Sequence, residues 1–165
     1  MKNKIYFSGS VLVAVLIGTL VFWLVVKDQS QTNRSINKEM MHNGTEIVMY
    51  KALGCLCCDK WNDYLGDYGF STSVHKPNNM TVFKNKKNIP FDMRSCHTAI
   101  VEGYIVEGHV PVEDITRLLK ERPDILGIAA PGMPAASPGM DSNSHEPYDV
   151  YQFDKGGNIE LFASH

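Results

Sequence analysis

Three of the chain's four cysteines fall in the stretch Gly54-Cys55-Leu56-Cys57-Cys58-Asp59-Lys60-Trp61. Thiols this dense serve metal binding, disulfide exchange or a structural disulfide. Cys55 and Cys58 have C-x-x-C spacing, and a helix beginning there favours thiolates through its unpaired N–H groups and its dipole. Cys57 and Cys58 are neighbours, with Cα atoms about 3.8 Å apart. An unstrained disulfide spans roughly 4.4–6.8 Å, so Cys55–Cys58 is the comfortable local pair. A third thiol beside that pair invites exchange in an oxidising compartment. Three close thiolates make more sense when something holds them, and soft thiolates select Cu(I), zinc or iron–sulfur clusters.

Further donors lie downstream. Cys96 opens a later apolar stretch and is expected near the first three thiols, against the alternative of an isolated buried thiol. His97 follows it directly; both can serve one site only if the strand begins after them, because strand neighbours face opposite ways. His109 precedes Pro111. Met133 and Met140 sit in the turns Pro131-Gly132-Met133-Pro134 and Ser137-Pro138-Gly139-Met140. Such turns suit a thioether that meets copper better than a core methionine. His75, His145 and His165 read as surface residues, and Met40-Met41-His42 as an incidental soft-donor group in a linker.

The elements that must position these residues begin with a short apolar strand, Ile47 to Tyr50. The cysteine loop follows, then a helix on which Trp61, Leu65 and Tyr68 recur at i, i+4, i+7, with Cys58 on the same inward stripe and Gly69 as a left-handed end. Phe70 to His75 reads as a strand and Met80 to Asn88 as a short basic helix stopped by Ile89-Pro90. Cys96 to Val101 and Tyr104 to His109 are strands around Glu102-Gly103. A helix opens at Pro111, turns Ile115, Leu118 and Leu119 inward, and closes at Pro123. After a long loop, Tyr148 to Phe153 and Asn158 to Ala163 form a hairpin around Asp154-Lys155-Gly156-Gly157. The order is α/β: β, cysteine loop, α, β, α, β, β, α, with an appended C-terminal hairpin. A strand leading into a cysteine loop at a helix start resembles a thioredoxin-like fold. Pro90 then stands where such folds carry a cis-proline.

With 165 residues and a formal net charge of -2, the chain suggests one compact domain with no basic field for nucleic acid. Ile5 to Val26 is 22 residues without a charge, enough at about 1.5 Å per residue to cross roughly 30 Å of hydrocarbon. No small-x-small cleavage site follows. Residues 1–27 therefore read as an uncleaved signal anchor, 28–44 as a polar tether and 45–165 as the folded domain. Lys2 and Lys4 lean the N-terminus inside, so the domain is expected in the periplasm or elsewhere outside the cytoplasm. A soluble exported protein after cleavage is the alternative.

The motifs also resemble a known family. Cys-x-Cys-Cys followed by Trp61, Ser95-Cys96-His97-Thr98-Ala99, Gly103-Tyr104-Ile105-Val106-Glu107-Gly108-His109-Val110-Pro111, Glu121-Arg122-Pro123-Asp124, the two methionine turns and Pro147-Tyr148-Asp149-Val150 are similar, in order and spacing, to the CopG-like family of exported copper-resistance proteins. The resemblance covers roughly Ile47 to His165. It implies a thioredoxin-like fold and a multinuclear Cu(I) cluster bridged by Cys55, Cys57, Cys58 and Cys96. Outer ligands would come from Met133, His97 and His109, with Met140 a further thioether. It also implies copper donor or acceptor proteins of the cell envelope as partners. Two departures stand out: Leu56 replaces the glycine common between the first two cysteines, and the apolar N-terminal stretch is longer than the family's usual cleavable signal.

Three functions follow. The first is a membrane-tethered protein that binds Cu(I) for copper resistance, with or without Cu(I)/Cu(II) redox. The second is a thiol–disulfide oxidoreductase using Cys55 and Cys58, which leaves Cys57 and the methionine turns without a role. The third is structural zinc on four cysteines, cramped because structural zinc sites space each ligand pair by about two to four residues. No Ser/His/Asp triad, phosphate loop or carboxylate pair supports hydrolase or kinase chemistry.

Overall fold

The computed structural model describes residues 22–27 and 44–165. Residues 22–27 are helical; the rest of the expected membrane anchor, and the linker with Met40, Met41 and His42, lie outside the described residues. No described helix is long and apolar enough to cross a membrane.

Strand β1 (Glu46–Lys51) alternates as a half-buried strand must, burying Ile47, Met49 and Lys51. Helix α1 (Leu56–Asp67) buries Cys58, Trp61 and Leu65 along one stripe, so the helical periodicity points the third cysteine into the core. Gly69 takes a left-handed φ of 87° beyond its end, where an L side chain would be strained. Strand β2 (Ser71–His75) runs parallel to β1. Helix α2 (Met80–Lys86) is capped by the Asn79 side chain, which accepts from the Val82 N–H. Its basic character is not all solvent-facing, because Lys84 is buried.

Strands β3 (His97–Val101) and β4 (Tyr104–Glu107) pair antiparallel around Glu102 and Gly103, both at positive φ, as a tight hairpin turn demands. β3 also pairs antiparallel with β1. Helix α3 (Val112–Glu121) follows, turning Ile115 and Leu118 fully inward and leaving Leu119 half-buried. The long loop expected next contains a strand, β5 (Gly127–Ala129), parallel to β4. Three residues show no alternation, and all three are buried, so no period marks them. Gly127 is required there: a Cβ would lie 2.1 Å from the Ile105 carbonyl oxygen.

β6 (Asp149–Phe153) and β7 (Ile159–Ser164) form the expected hairpin. It is not an appendage. β6 pairs with β5, giving one seven-stranded mixed sheet in the order β2-β1-β3-β4-β5-β6-β7. The α/β class is as expected. Pro90 is not a cis-proline, since no described peptide bond is cis; it caps the 3-10 turn Phe91–Met93 instead. The main core packs Trp61, Leu65, Ile47, Met49, Ala99 and Ile115 together, and the Trp61 indole N–H donates to the Val110 carbonyl at 2.9 Å. The N-terminal half of α1 is thereby tied to the segment that joins β4 to α3.

Candidate metal centre

Cys55 is the N-cap of α1 and Cys57 and Cys58 occupy its first turn. Cys55 and Cys58 form a disulfide across a Cα–Cα distance of 5.4 Å, leaving Cys57 and Cys96 as free thiols. The Cys57 sulfur lies 3.6 Å from that of Cys55. Cys96 arrives from a separate segment, one residue before β3, the strand paired with β1. All four cysteine sulfurs lie within 4.8 Å of one another.

A second donor group shares Cys96. Its sulfur is 3.3 Å from His97 Nδ1 and 3.2 Å from His109 Nε2. β3 begins at His97, so Cys96 lies outside the regular strand and can turn towards the same side. His109 follows Gly108, whose φ of 77° ends β4 two residues earlier than expected. His109 Nδ1 lies 2.7 Å from the Pro138 carbonyl oxygen. A carbonyl only accepts, so Nδ1 carries the proton and Nε2 presents a lone pair towards Cys96. His97 packs against Trp61, with ring centroids 4.4 Å apart, and meets His109 edge-on at 5.1 Å. Its Nε2 is buried without a hydrogen-bond partner.

The electrostatics keep these donors neutral. Burial, with the nearby Cys57, pushes the Cys96 thiol up to about 11. Burial, then His109 and Lys84, holds His97 well below the ordinary histidine value, and burial likewise lowers His109. Neutral imidazoles are the ligating form, and a metal that binds here takes the place of thiol protons.

Both methionine turns are fastened beside this centre. The Ser95 hydroxyl donates to the Gly132 carbonyl, and the Gly132 N–H donates to that of Arg94 at 3.3 Å. Met133, next to Gly132, is 57 % exposed. Gly139 lies against α1, where a Cβ would come within 2.7 Å of the Trp61 backbone nitrogen; Met140 beside it is half-buried. His75 and His145 are exposed, as expected. His165 is exposed too, and its ring meets Asp114 at 2.8 Å and stacks on Tyr148.

Sequence reasoning missed the charged residues beneath the thiols. Lys51 is buried, donating to the Cys55 carbonyl at 3.1 Å and pairing with Asp59. Lys84 pairs with the fully buried Glu107. Burial pushes the Glu107 carboxyl up, while Lys84, the Ser95 N–H and the Thr98 hydroxyl pull it back. A signal existed: Lys51 and Glu107 occupy the buried side of strand patterns whose other members are apolar.

The model of a family described as "Protein of unknown function, DUF411" matches residues 93–140. No curated protein matches the chain. Two solved structures do, described as "Copper resistance protein copG", Form 1 and Form 2. Form 1 is 36 % identical, with a TM-score of 0.69, over 73 % of this chain and 97 % of the other. Form 2 is also 36 % identical, with a TM-score of 0.70, over 73 % of this chain and 98 % of the other. At that identity, over nearly the whole of those chains, the protein belongs to the CopG-like DUF411 family.

Proposed function

We propose that this protein binds copper outside the cytoplasm, holding Cu(I) in a multinuclear cluster bridged by Cys55, Cys57, Cys58 and Cys96. The observation that carries this reading is the gathering of four sulfurs, from two separate chain segments, within 4.8 Å. Thiolates are soft donors and select Cu(I). Similarity to copper resistance proteins supports copper as the ion. His109, with its Nε2 lone pair turned to Cys96, and His97 complete the donor set at its protein-facing side. Met133 and Met140 add neutral thioethers from the fastened turns. The βαβ–ββα connectivity of β1 to α3 supports the thioredoxin-like reading of the fold. The apolar stretch Ile5–Val26 tethers the domain to the membrane on its outer face, where copper donor and acceptor proteins of the envelope reach it.

Loading requires an open Cys55–Cys58 disulfide. A dithiol reductant, itself closing to a disulfide, supplies the two electrons and two protons that give two thiols, and Cu(I) then replaces the protons. The redox extension balances as well: two Cu(I) ions oxidised to Cu(II) release the two electrons that open one disulfide to two thiolates. A second reading, thiol–disulfide exchange by Cys55 and Cys58, is favoured by the closed disulfide at a helix N-terminus.

The deciding experiment is metal content and free-thiol count of the full-length chain, purified anaerobically and offered Cu(I) or Zn(II) separately. Several copper ions per chain with all four thiols protected are expected. No retained copper, together with a readily reduced disulfide, would establish the exchange reading instead.

A further inference from the structure

Cys96 poses a positioning problem. The ladder between β1 and β3 stops at the pair Lys51↔His97, and that between β3 and β4 stops at Thr98↔Glu107. Ser95 and Cys96 lie beyond both, apart from the single bridge of Ser95 to Gly132. A ligand sulfur on such a segment needs another means of fixing its backbone.

The structure supplies one. Glu107, fully buried at the end of β4, accepts the Ser95 backbone N–H at 2.7 Å and the Thr98 hydroxyl at 2.6 Å. Lys84, 5 % exposed on α2, donates to the Ser95 carbonyl at 3.0 Å and pairs with Glu107. Both main-chain polar groups of Ser95 are therefore held by the two members of one buried ion pair. Gly108 packs closely on the same segment, since a Cβ there would lie 2.6 Å from the Ser95 side chain and from the Ala130 carbonyl oxygen. Stability alone gives little reason for such a pair, because well-packed apolar replacements of buried ion pairs are often neutral or stabilising. Its hydrogen bonds supply the reason.

We propose that Lys84 and Glu107 are positioning residues of the metal centre: their ion pair clamps the Ser95 main chain and so fixes where Cys96 presents its sulfur to the cysteine loop. The copper part of this inference rests on the proposed function; the placement of Cys96 does not. Neither residue touches the metal ligands' sulfurs. They act through the peptide that joins Ser95 to Cys96.

The test uses the full-length chain carrying Lys84→Met and Glu107→Gln together, so that neither charge is left buried alone. In the disulfide form, Cys57 and Cys96 are the free thiols, and their alkylation by iodoacetamide is followed separately by peptide mass. The double variant is expected to keep the wild-type circular dichroism and to alkylate Cys96 several-fold faster, with Cys57 unchanged. In the reduced form, competition with a chromophoric Cu(I) chelator should show roughly a ten- to hundredfold loss of affinity, the scale of a lost outer-sphere partner. A folded double variant with wild-type Cys96 alkylation and wild-type Cu(I) affinity overturns the proposal. General loosening would instead speed both thiols alike, which also overturns it. Should the double variant not fold, Lys84→Met alone, which removes the hydrogen bond to the Ser95 carbonyl, is read in the same way. If the wild-type chain binds no Cu(I), the functional reading fails while the alkylation rates still judge the clamp.

Discussion

Cys55, Cys57 and Cys58 are delivered by the first turn of a helix, whereas Cys96 is delivered by a segment that no ladder holds. In the first case, geometry is local. Leu56 to Asp67 winds as α1, Cys58 falls on the same stripe as Trp61 and Leu65, and the sulfurs converge at the N-terminus. In the second case, geometry is borrowed: α2 lends Lys84, β4 lends Glu107 and the Gly132 turn accepts the Ser95 hydroxyl. Both segments nonetheless have a buried lysine on a main-chain carbonyl, Lys51 on that of Cys55 and Lys84 on that of Ser95. The difference lies in what happens if the lysine goes. The helix still presents three thiols; the Cys96 segment loses a main support. Where local structure places a ligand, the tertiary contact refines it. Where local structure is absent, the tertiary contact is the placement.

The largest effect on this contrast comes from removing a sulfur. Cys58→Ser deletes one of the four gathered sulfurs and the disulfide together; on the proposed cluster most of the bound copper should go, measured as copper per chain by elemental analysis. His97→Ala should lose less, since it spares every sulfur. Full copper stoichiometry in Cys58→Ser would break the cluster model outright.

A smaller effect probes the borrowed geometry. Gly108→Ala must combine a positive φ with a Cβ driven into Ser95 and Ala130, and should cost about 1–3 kcal/mol in denaturant unfolding while weakening Cu(I) binding. Gly103→Ala, also at positive φ but with nothing within 4 Å, is the control. It should lose about 1–2 kcal/mol with copper affinity intact. Equal copper loss in the two would mean that strain in the hairpin, not contact with Ser95, is what the centre feels.

The smallest effect belongs to the local segment. Leu56 is 72 % exposed at the first position of α1, so Leu56→Gly removes little packing. A loss of no more than about 0.5–1 kcal/mol in thermal unfolding, from helix propensity, with copper content unchanged, is expected. A large copper loss would show that the local segment depends on its side-chain context as much as the Cys96 segment does.

The legibility of the molecule divides along the same line. Short-range periodicity placed Cys58 inward with Trp61 and Leu65, marked Glu102-Gly103 as a turn, and set the β6–β7 hairpin, because each depends on residues within a few positions of one another. C-x-x-C spacing likewise singled out Cys55–Cys58 over the adjacent Cys57 and Cys58, from the reach of a disulfide alone. β5 escaped because three fully buried residues carry no period, and with it escaped the continuity of the hairpin with the main sheet. Lys84 escaped because nothing within a helix says which of several lysines turns inward; its partner Glu107 lies on a strand of another layer. The candidate donors were therefore legible in the sequence as residue types at fixed spacings. Tertiary structure decided that Cys96, His97 and His109 share one point, that Pro138 sets the tautomer of His109, and that a buried ion pair holds the segment carrying the fourth sulfur. Contacts between residues far apart in the chain have no local signature, because their energy exists only once the chain has folded.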